Sequence, residues 1–242
     1  MDTAMFTGKL RLRDVKKEAS NAHTFVFEKP RAAWQAGQHF MFLKPHFPFD
    51  LKGVTRVFTV CSAPEENGFA FTTRYFGEKS SSFKRSLFSM QPGDRLWSFG
   101  PSPLYDCFRA LDTARQYVFL AGGLGITPVR ATLLHHAAAS GALKATLLYA
   151  NRDEEMIFKD ELTALHSTLP ALGITYITSP EHINAAAIAK AAQAYSAPVF
   201  IASGSRRFVG GMVGILRNEL GVQKKDIIAD MFRAIPFSGA GL

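Results

Sequence analysis

Arg56-Val-Phe-Thr59 sets a guanidinium, a β-branched residue, an aromatic ring and a hydroxyl in four consecutive positions, in a strand-like run that continues through Val60-Cys-Ser62. The guanidinium offers a planar donor fork suited to a pyrophosphate. The Phe58 ring suits a flat heterocycle, and the Thr59 hydroxyl can bond a ring nitrogen. In an alternating strand Arg56 and Phe58 share one face and Thr59 turns to the other. A second segment, Ala121-Gly-Gly-Leu-Gly-Ile-Thr-Pro128, places glycines between an apolar strand and a helix. Backbone without side chains can approach a phosphate closely there, with helix N–H groups facing it. Alone, the first pattern is more often an ordinary strand, and the second a structural turn.

The elements that must hold these segments fall into two stretches. Up to about residue 110 short apolar runs alternate with turns, as in an all-β barrel. Strands are expected over Phe6–Lys16, His23–Glu28, Gln38–Leu43, Thr55–Cys61, Phe69–Tyr75 and Arg95–Phe99, with one helix capped by Ser80-Ser-Ser82 and carrying Phe83, Leu87, Phe88 and Met90. Period-2 runs such as Thr24-Phe-Val-Phe27 and His39-Phe-Met-Phe42 assign most of the 21 Phe to a core. After Pro101 and Pro103 strands (Gln116–Ala121, Ala145–Ala150, Ile174–Thr178, Val199–Ala202) alternate with helices (Val129–Ala139, Phe158–Leu165, Ala185–Ala194, Phe208–Leu220), which implies a parallel sheet with covering helices. The expected architecture is a two-domain chain: an N-terminal antiparallel β-barrel over residues 1–110 and a C-terminal α/β nucleotide-binding domain over 111–242, divided near Cys107–Ala114.

In order and separation these segments resemble the ferredoxin–NADP reductase-like flavoprotein family, over about Phe6 to Phe232. Arg56-Val-Phe-Thr59 with Ser62-Ala-Pro64 is similar to its R-x-Y-S/T signature, and Thr73-Arg-Tyr-Phe-Gly77 with Ser81-Ser-Phe-Lys-Arg85 to its second flavin segment. Gly122-Gly-Leu-Gly-Ile-Thr-Pro128 matches its G-G-x-G-x-T-P, and Pro92-Gly-Asp94 with Gly100-Pro101 its closing turn and last barrel strand. The resemblance implies FAD, rather than FMN, held by Arg56, Val57, Phe58, Thr59, Thr73, Arg74, Ser81 and Ser82. NAD(P)H is implied as cosubstrate on Gly122, Gly123, Gly125, Thr127, Pro128, Arg152, Gly204 and Arg206. Thr59 and Ser203 would stand at the hydride-transfer site.

Several positions depart from the family. Phe58 stands for Tyr, Pro103 for Gly, Ser203 for Cys, Ser205 for Pro, and Ile235, followed by Phe237, for a terminal aromatic. Arg152 is either a partner for the 2′-phosphate of NADPH or a solvated cation, and Asp153 to Glu155 would repel that phosphate. Arg206 and Arg207 open a helix, where either a cofactor phosphate meets their charge or they are solvated. NADPH against NADH stays open.

The implied activity is electron passage from NAD(P)H through flavin to a separate acceptor such as ferredoxin, flavodoxin or another redox protein. The alternatives are a reductase subunit of an oxygenase or cytochrome system, with Lys44–Leu51 as a docking loop, and a non-catalytic flavin- or nucleotide-binding module. The formal charge is +8, with 16 Lys+Arg against 11 Asp+Glu in residues 1–112; this would suit an acidic partner or cofactor phosphates. The basic residues form no stripe with stacking aromatics, which argues against nucleic acid. No apolar run approaches the ~20 residues of a membrane helix, the N-terminus is unlike a signal peptide, and a cytoplasmic location is expected. Cys61 and Cys107 form neither a metal motif nor a disulfide framework. His135-His136 lacks a metal-site pattern, so no metal is expected.

Overall fold

The computed structural model describes residues 6–102, 111–139 and 142–231. They are organised around two sheets. The first is antiparallel and built from β1 (Phe6–Ala19), β2 (Ala22–Phe27), β3 (His39–Leu43), β4 (Thr55–Thr59), β5 (Phe69–Arg74) and β6 (Arg95–Gly100), in the order β4-β3-β6-β1-β2-β5. Its two edges meet where Val60 bridges Phe71 and the Cys61 N–H donates to the Ala70 carbonyl (2.8 Å), so the sheet curls into a barrel. That closure is why β4 stops at Thr59, short of the expected Cys61.

Period-2 alternation sends Phe25, Phe27, Phe40, Phe42, Phe69 and Phe71 inward, all fully buried. Their rings meet one another: Phe42 and Phe71 lie 4.5 Å apart and Phe40 and Phe69 5.0 Å apart. Each such ring contributes roughly 1.5–3 kcal/mol by burial. The aromatic excess is therefore barrel core. Helix α1 (Ser82–Phe88) closes one end with Phe83 and Leu87 inside, and the Ser81 hydroxyl caps it by accepting the Lys84 N–H.

The second sheet is parallel, in the order β11-β10-β7-β8-β9, from β7 (Gln116–Gly122), β8 (Lys144–Asn151), β9 (Leu172–Thr178), β10 (Val199–Gly204) and β11 (Ile227–Met231). Helices α2 (Ile126–Ala139) and α3 (Lys159–Ala164) accompany α4 (Ala185–Ala192) and α5 (Arg206–Gly214) in covering it. Apolar side chains pack on both faces, Phe119, Leu147 and Ile201 on one and Val118, Leu120 and Phe200 on the other. Helix α2 begins before Pro128, not after it. Proline is tolerated in a first turn because its missing N–H has no intrahelical partner to lose. The expected Phe208–Leu220 helix is α5 followed by a wider turn at Ile215–Glu219, after Gly210, Gly211 and Gly214 weaken regular helix. Pro103, Cys107, Phe232, Ile235 and Phe237 lie outside the described residues, as does most of the expected domain junction.

Arg130 ties the two units together through a buried network. Arg130 on α2 is buried and donates to both Glu66 carboxylate oxygens (3.0 Å each) and to the Cys61 carbonyl (2.7 Å) of the barrel. It also holds Glu161 on α3 and lies 4.8 Å from the Phe158 ring. Desolvation opposes its charge, yet Glu161 and Glu66 prevail and raise its pKa above the ordinary value. Removing one partner of so buried a network strands the others, typically at about 3–5 kcal/mol.

Candidate functional site

A slot opens where the units face each other. His39, Val57, Phe58, Thr59, Thr72, Thr73 and Lys84 line it from the barrel, and Leu124, Thr127 and Met231 from the nucleotide unit. The glycine turn and the Arg56–Thr59 strand, far apart in sequence, are its two walls.

Strand alternation divides Arg56-Val-Phe-Thr59. Arg56 and Phe58 turn together toward Phe83, the guanidinium carbon 5.2 Å and the Phe58 ring 6.1 Å from its centre. Phe58 also stacks on Phe71 at 4.5 Å, so much of its face is spent on the core. One Arg56 nitrogen donates to the carbonyls of Lys52 (2.7 Å), Gly53 (3.3 Å) and Thr55; the other, Nη2, is buried with no partner. Lys84 lines the slot, its ammonium donating to the Arg74 carbonyl (2.8 Å). Burial, then Arg56 and Lys52, takes the Lys84 pKa down to about 8, and burial also lowers that of Arg56. Neither cation has a carboxylate within ion-pair distance among the described residues. An orphaned guanidinium nitrogen beside a desolvated ammonium fits an anionic tail, and the ring-lined slot beside them fits a planar group. Lys84 escaped the sequence reading because a lysine in a helix looks like any solvated one.

The start of α1 is engaged by the chain itself. The Ser82 N–H donates to the Asp50 carboxylate (2.7 Å), its hydroxyl meets His46 Nε2 (2.9 Å) and the Asp50 N–H (3.0 Å), and Ser81 serves as the cap. These bonds, foremost the Ser82 N–H, lower the Asp50 pKa.

A buried polar chain crosses from one unit to the other at the slot. Thr59 Oγ1 lies 2.9 Å from His39 Nε2, which is 4.0 Å from Asp230 Oδ1, and the Ser203 hydroxyl donates to Asp230 Oδ2 at 2.8 Å. Desolvation raises the Asp230 pKa against the opposing pull of His39 and Ser203. Sequence reasoning named Thr59 and Ser203 and missed the two residues between them. His39 sat in an apolar alternation, and Asp230 was a single carboxylate in the run Ile227-Ile-Ala-Asp-Met231.

The glycines of the turn serve different needs. A Cβ on Gly122 would lie 2.6 Å from the Phe208 ring, and one on Gly125 would strike the Ser203 carbonyl. Gly204, at φ +150°, lies against the Gly122 carbonyl. These three are required by packing between β7, β10 and α5. Gly123, at φ +54°, instead opens on the cleft between the units, toward Arg74 and Asn151. Thr127 lines the slot and donates to the Leu124 carbonyl (2.9 Å), while Pro128 sits in the first turn of α2. Thr73 lines the slot, whereas the Arg74 side chain leaves it for Asn21 and Asn151.

Arg152 is exposed and makes no hydrogen bond or ion pair among the described residues. The three carboxylates after it are each occupied: Asp153 by the Glu155 N–H, Glu154 by Thr178 Oγ1 (2.7 Å), Glu155 by the Ser20 N–H (2.7 Å). Arg206 is exposed on the first turn of α5, behind the Ser205 cap.

Residues 119–193 match the oxidoreductase NAD-binding domain. The ferredoxin reductase component of 3-ketosteroid-9-alpha-monooxygenase from Mycobacterium tuberculosis is 29% identical over 211 residues, covering 80% of this chain and 57% of that protein. Ferredoxin–NADP reductase B of Sorangium cellulosum is 30% identical over 159 residues, covering 64% of this chain and 58% of that one. The chain is thus similar to ferredoxin reductases along most of its length, and to the oxidoreductase NAD-binding domain over residues 119–193. The chain spans a little over half the length of those two relatives. In fold it follows the flavohem-like FAD/NAD binding domain of nitric oxide dioxygenase from Vibrio cholerae, with a TM-score of 0.76 at 17% identity over 93% of this chain and 98% of that one.

Proposed function

We propose that the chain is a flavin-dependent NAD(P)H oxidoreductase that delivers electrons to a separate redox partner, with residues 1–110 as the flavin unit and 111–242 as the nucleotide unit. The observation that carries this reading is the slot itself: Val57 and Thr59 face Leu124 and Thr127 across it, with the desolvated Lys84 ammonium and the unpartnered Nη2 of Arg56 beside it. When bound, flavin supplies acceptance of a hydride from nicotinamide and release of electrons one at a time.

Every other role belongs to the chain. Arg56 and Lys84 hold the flavin phosphates; two cations suit the pyrophosphate of FAD, the group named for the matched Vibrio cholerae domain. Val57, Phe58 and Thr73 wall the ring, with Ser81 and Ser82 at the α1 end. Thr59 Oγ1 holds a proton at the ring nitrogen's edge of the slot, and His39, Asp230 and Ser203 form the polar surround behind it. Gly122, Gly123 and Gly125, with Thr127, Pro128 and Gly204, shape the nicotinamide site; Arg206 and Arg152 supply cations, Arg152 for the 2′-phosphate of NADPH.

The relatives named as oxygenase components favour a narrower reading, a reductase that serves an oxygenase. No helix among the described residues is long and apolar enough to cross a membrane, and we place the protein in the cytoplasm. Its visible spectrum before and after anaerobic NADPH tests the reading: flavin bands bleached by NADPH are expected. A colourless protein that takes up neither FAD nor FMN would sink it, and bound flavin that neither nicotinamide reduces would leave a binding module.

A further inference from the structure

Large apolar side chains are buried through most of the molecule, and the exceptions gather at one end of the barrel. Among the described residues those left exposed are Phe47 (91%), Phe49 (61%), Leu51 (109%) and Phe76 (55%). The first three sit on the loop between β3 and β4, and Phe76 on the turn that leads into α1. Leu51 is as open as in an isolated peptide, so it stands clear of the chain.

The loop is nevertheless held in place. The Asp50 carboxylate accepts the Ser82 N–H (2.7 Å) at the start of α1 and the Lys52 N–H (2.9 Å), and the Asp50 N–H donates to the Ser82 hydroxyl (3.0 Å). His46 Nε2 meets the same hydroxyl (2.9 Å), and its Nδ1 lies 2.8 Å from the Lys44 carbonyl. The Lys44 N–H donates to the Val54 carbonyl (3.0 Å) and the Gly53 N–H to the Asp50 carbonyl (2.9 Å), closing the base. His46 and Asp50 thus turn toward the protein while Phe47, Phe49 and Leu51 turn to water, the reverse of the usual sorting. Apolar surface fixed in that display marks a contact with another body. The surroundings are basic: residues 44–53 and 76–85 carry Lys44, Lys52, Lys79, Lys84 and Arg85 against Asp50 and Glu78.

We propose that this loop is the protein's contact with an anionic membrane surface. Phe47, Phe49 and Leu51 enter the acyl boundary, and Lys44, Lys52 and Lys79 meet the headgroups. Side chains that project singly from a loop tip, with cations around its base, suit a soft apolar layer beneath negative charge. A protein partner would need a rigid pocket for each. The contact is reversible, and it does not depend on how flavin or nicotinamide binds.

The test is co-sedimentation of the purified full chain with vesicles of phosphatidylcholine alone or of equal parts phosphatidylcholine and phosphatidylglycerol. The parent should bind the mixed vesicles at least about tenfold more tightly than the neutral ones, and salt should weaken that binding. Phe47→Ser and Phe49→Ser should each lower partitioning about tenfold, and Lys52→Gln about three- to fivefold. Thermal melts should not move, because these side chains are exposed. Leu51→Asp, at the most open position, should remove binding to the mixed vesicles. A parent that stays in solution with mixed vesicles at low salt overturns the proposal. Binding left unaltered by Phe47→Ser, Phe49→Ser and Leu51→Asp overturns it too, since diffuse charge attraction would then suffice. A parent that ignores vesicles and forms a dimer in sedimentation velocity, lost on Phe47→Ser, would assign the loop to a second copy of the chain instead.

Discussion

The two motif segments that face each other across the slot are built on opposite terms. In Gly122–Gly125 what matters is crowding: Phe208 lies over Gly122 and the Ser203 carbonyl against Gly125, so most of the glycine requirement comes from the chain packing on itself. At Arg56 and Lys84 what matters is vacancy, a buried guanidinium nitrogen without a partner and an ammonium whose pKa is pressed down to about 8. A glycine motif is thus weak evidence of a ligand wherever packing explains it, while desolvated charge without a counter-ion calls for one.

The sharpest way to break this contrast is within the turn. Gly125→Ala must move backbone, since the obstacle is a carbonyl rather than a flexible side chain, and should cost at least the 1–3 kcal/mol typical of overpacking. Gly123→Ala meets no close atom and costs only the left-handed strain, about 1–2 kcal/mol. Denaturant melts should rank Gly125→Ala well below Gly123→Ala, while Gly123→Ala should slow flavin reduction by NAD(P)H with most of its stability kept. Equal stabilities would mean that packing does not distinguish the two glycines.

On the other wall, Arg56→Ala removes charge-assisted hydrogen bonds worth roughly 1.5–3 kcal/mol each, or about 10- to 150-fold in flavin affinity. Fluorescence titration of flavin-depleted protein measures it, and unchanged affinity would take Arg56 out of the site. Phe58→Tyr should do far less, because the Phe58 ring already lies against Phe71.

Much of this was legible in the sequence, and its limits are physical. Alternation of Phe25, Phe27, Phe40, Phe42, Phe69 and Phe71 announced the barrel because one buried face imposes period 2. The glycine turn and Thr59 were found because each lies in a contiguous run. His39, Asp230, Lys84 and Arg130 were not, because their meaning comes from neighbours distant in the chain: Thr59 is 20 residues from His39, and Glu66 is 64 from Arg130. The three carboxylates after Arg152 were legible in identity, but not their local bonds to the Glu155 N–H, Thr178 and the Ser20 N–H.

Lys84 supplies a smaller effect with a defined sign. Its pKa of about 8 lies below the ordinary 10.5, so above pH 8 the flavin-free site is increasingly neutral there. A bound phosphate favours the ammonium, so binding above pH 8 must take up a proton. Flavin affinity should therefore be level below pH 8 and fall as pH rises toward 10, by up to about tenfold per unit. Lys84→Met should start weaker and lose that slope. A parent whose affinity is flat from pH 7 to 10 would separate Lys84 from the phosphates.

The smallest expected effect concerns the choice of coenzyme. Arg152 is exposed and unpaired among the described residues, while Asp153, Glu154 and Glu155 are held by the Glu155 N–H, Thr178 and Ser20. Those carboxylates keep their charge, so Arg152 has to outweigh their repulsion, and its guanidinium fork has no other partner among the described residues to keep it from the 2′-phosphate of NADPH. Arg152→Ala should raise the Michaelis constant for NADPH by roughly tenfold at low salt and leave that for NADH alone. Because this is binding in the ground state, the rate at saturating NADPH should hardly move. Salt should erode the preference in the parent, since an exposed charge pair is screened over about 8–10 Å, and should do nothing to the variant. A preference that survives both the substitution and high salt would place coenzyme selection outside this loop.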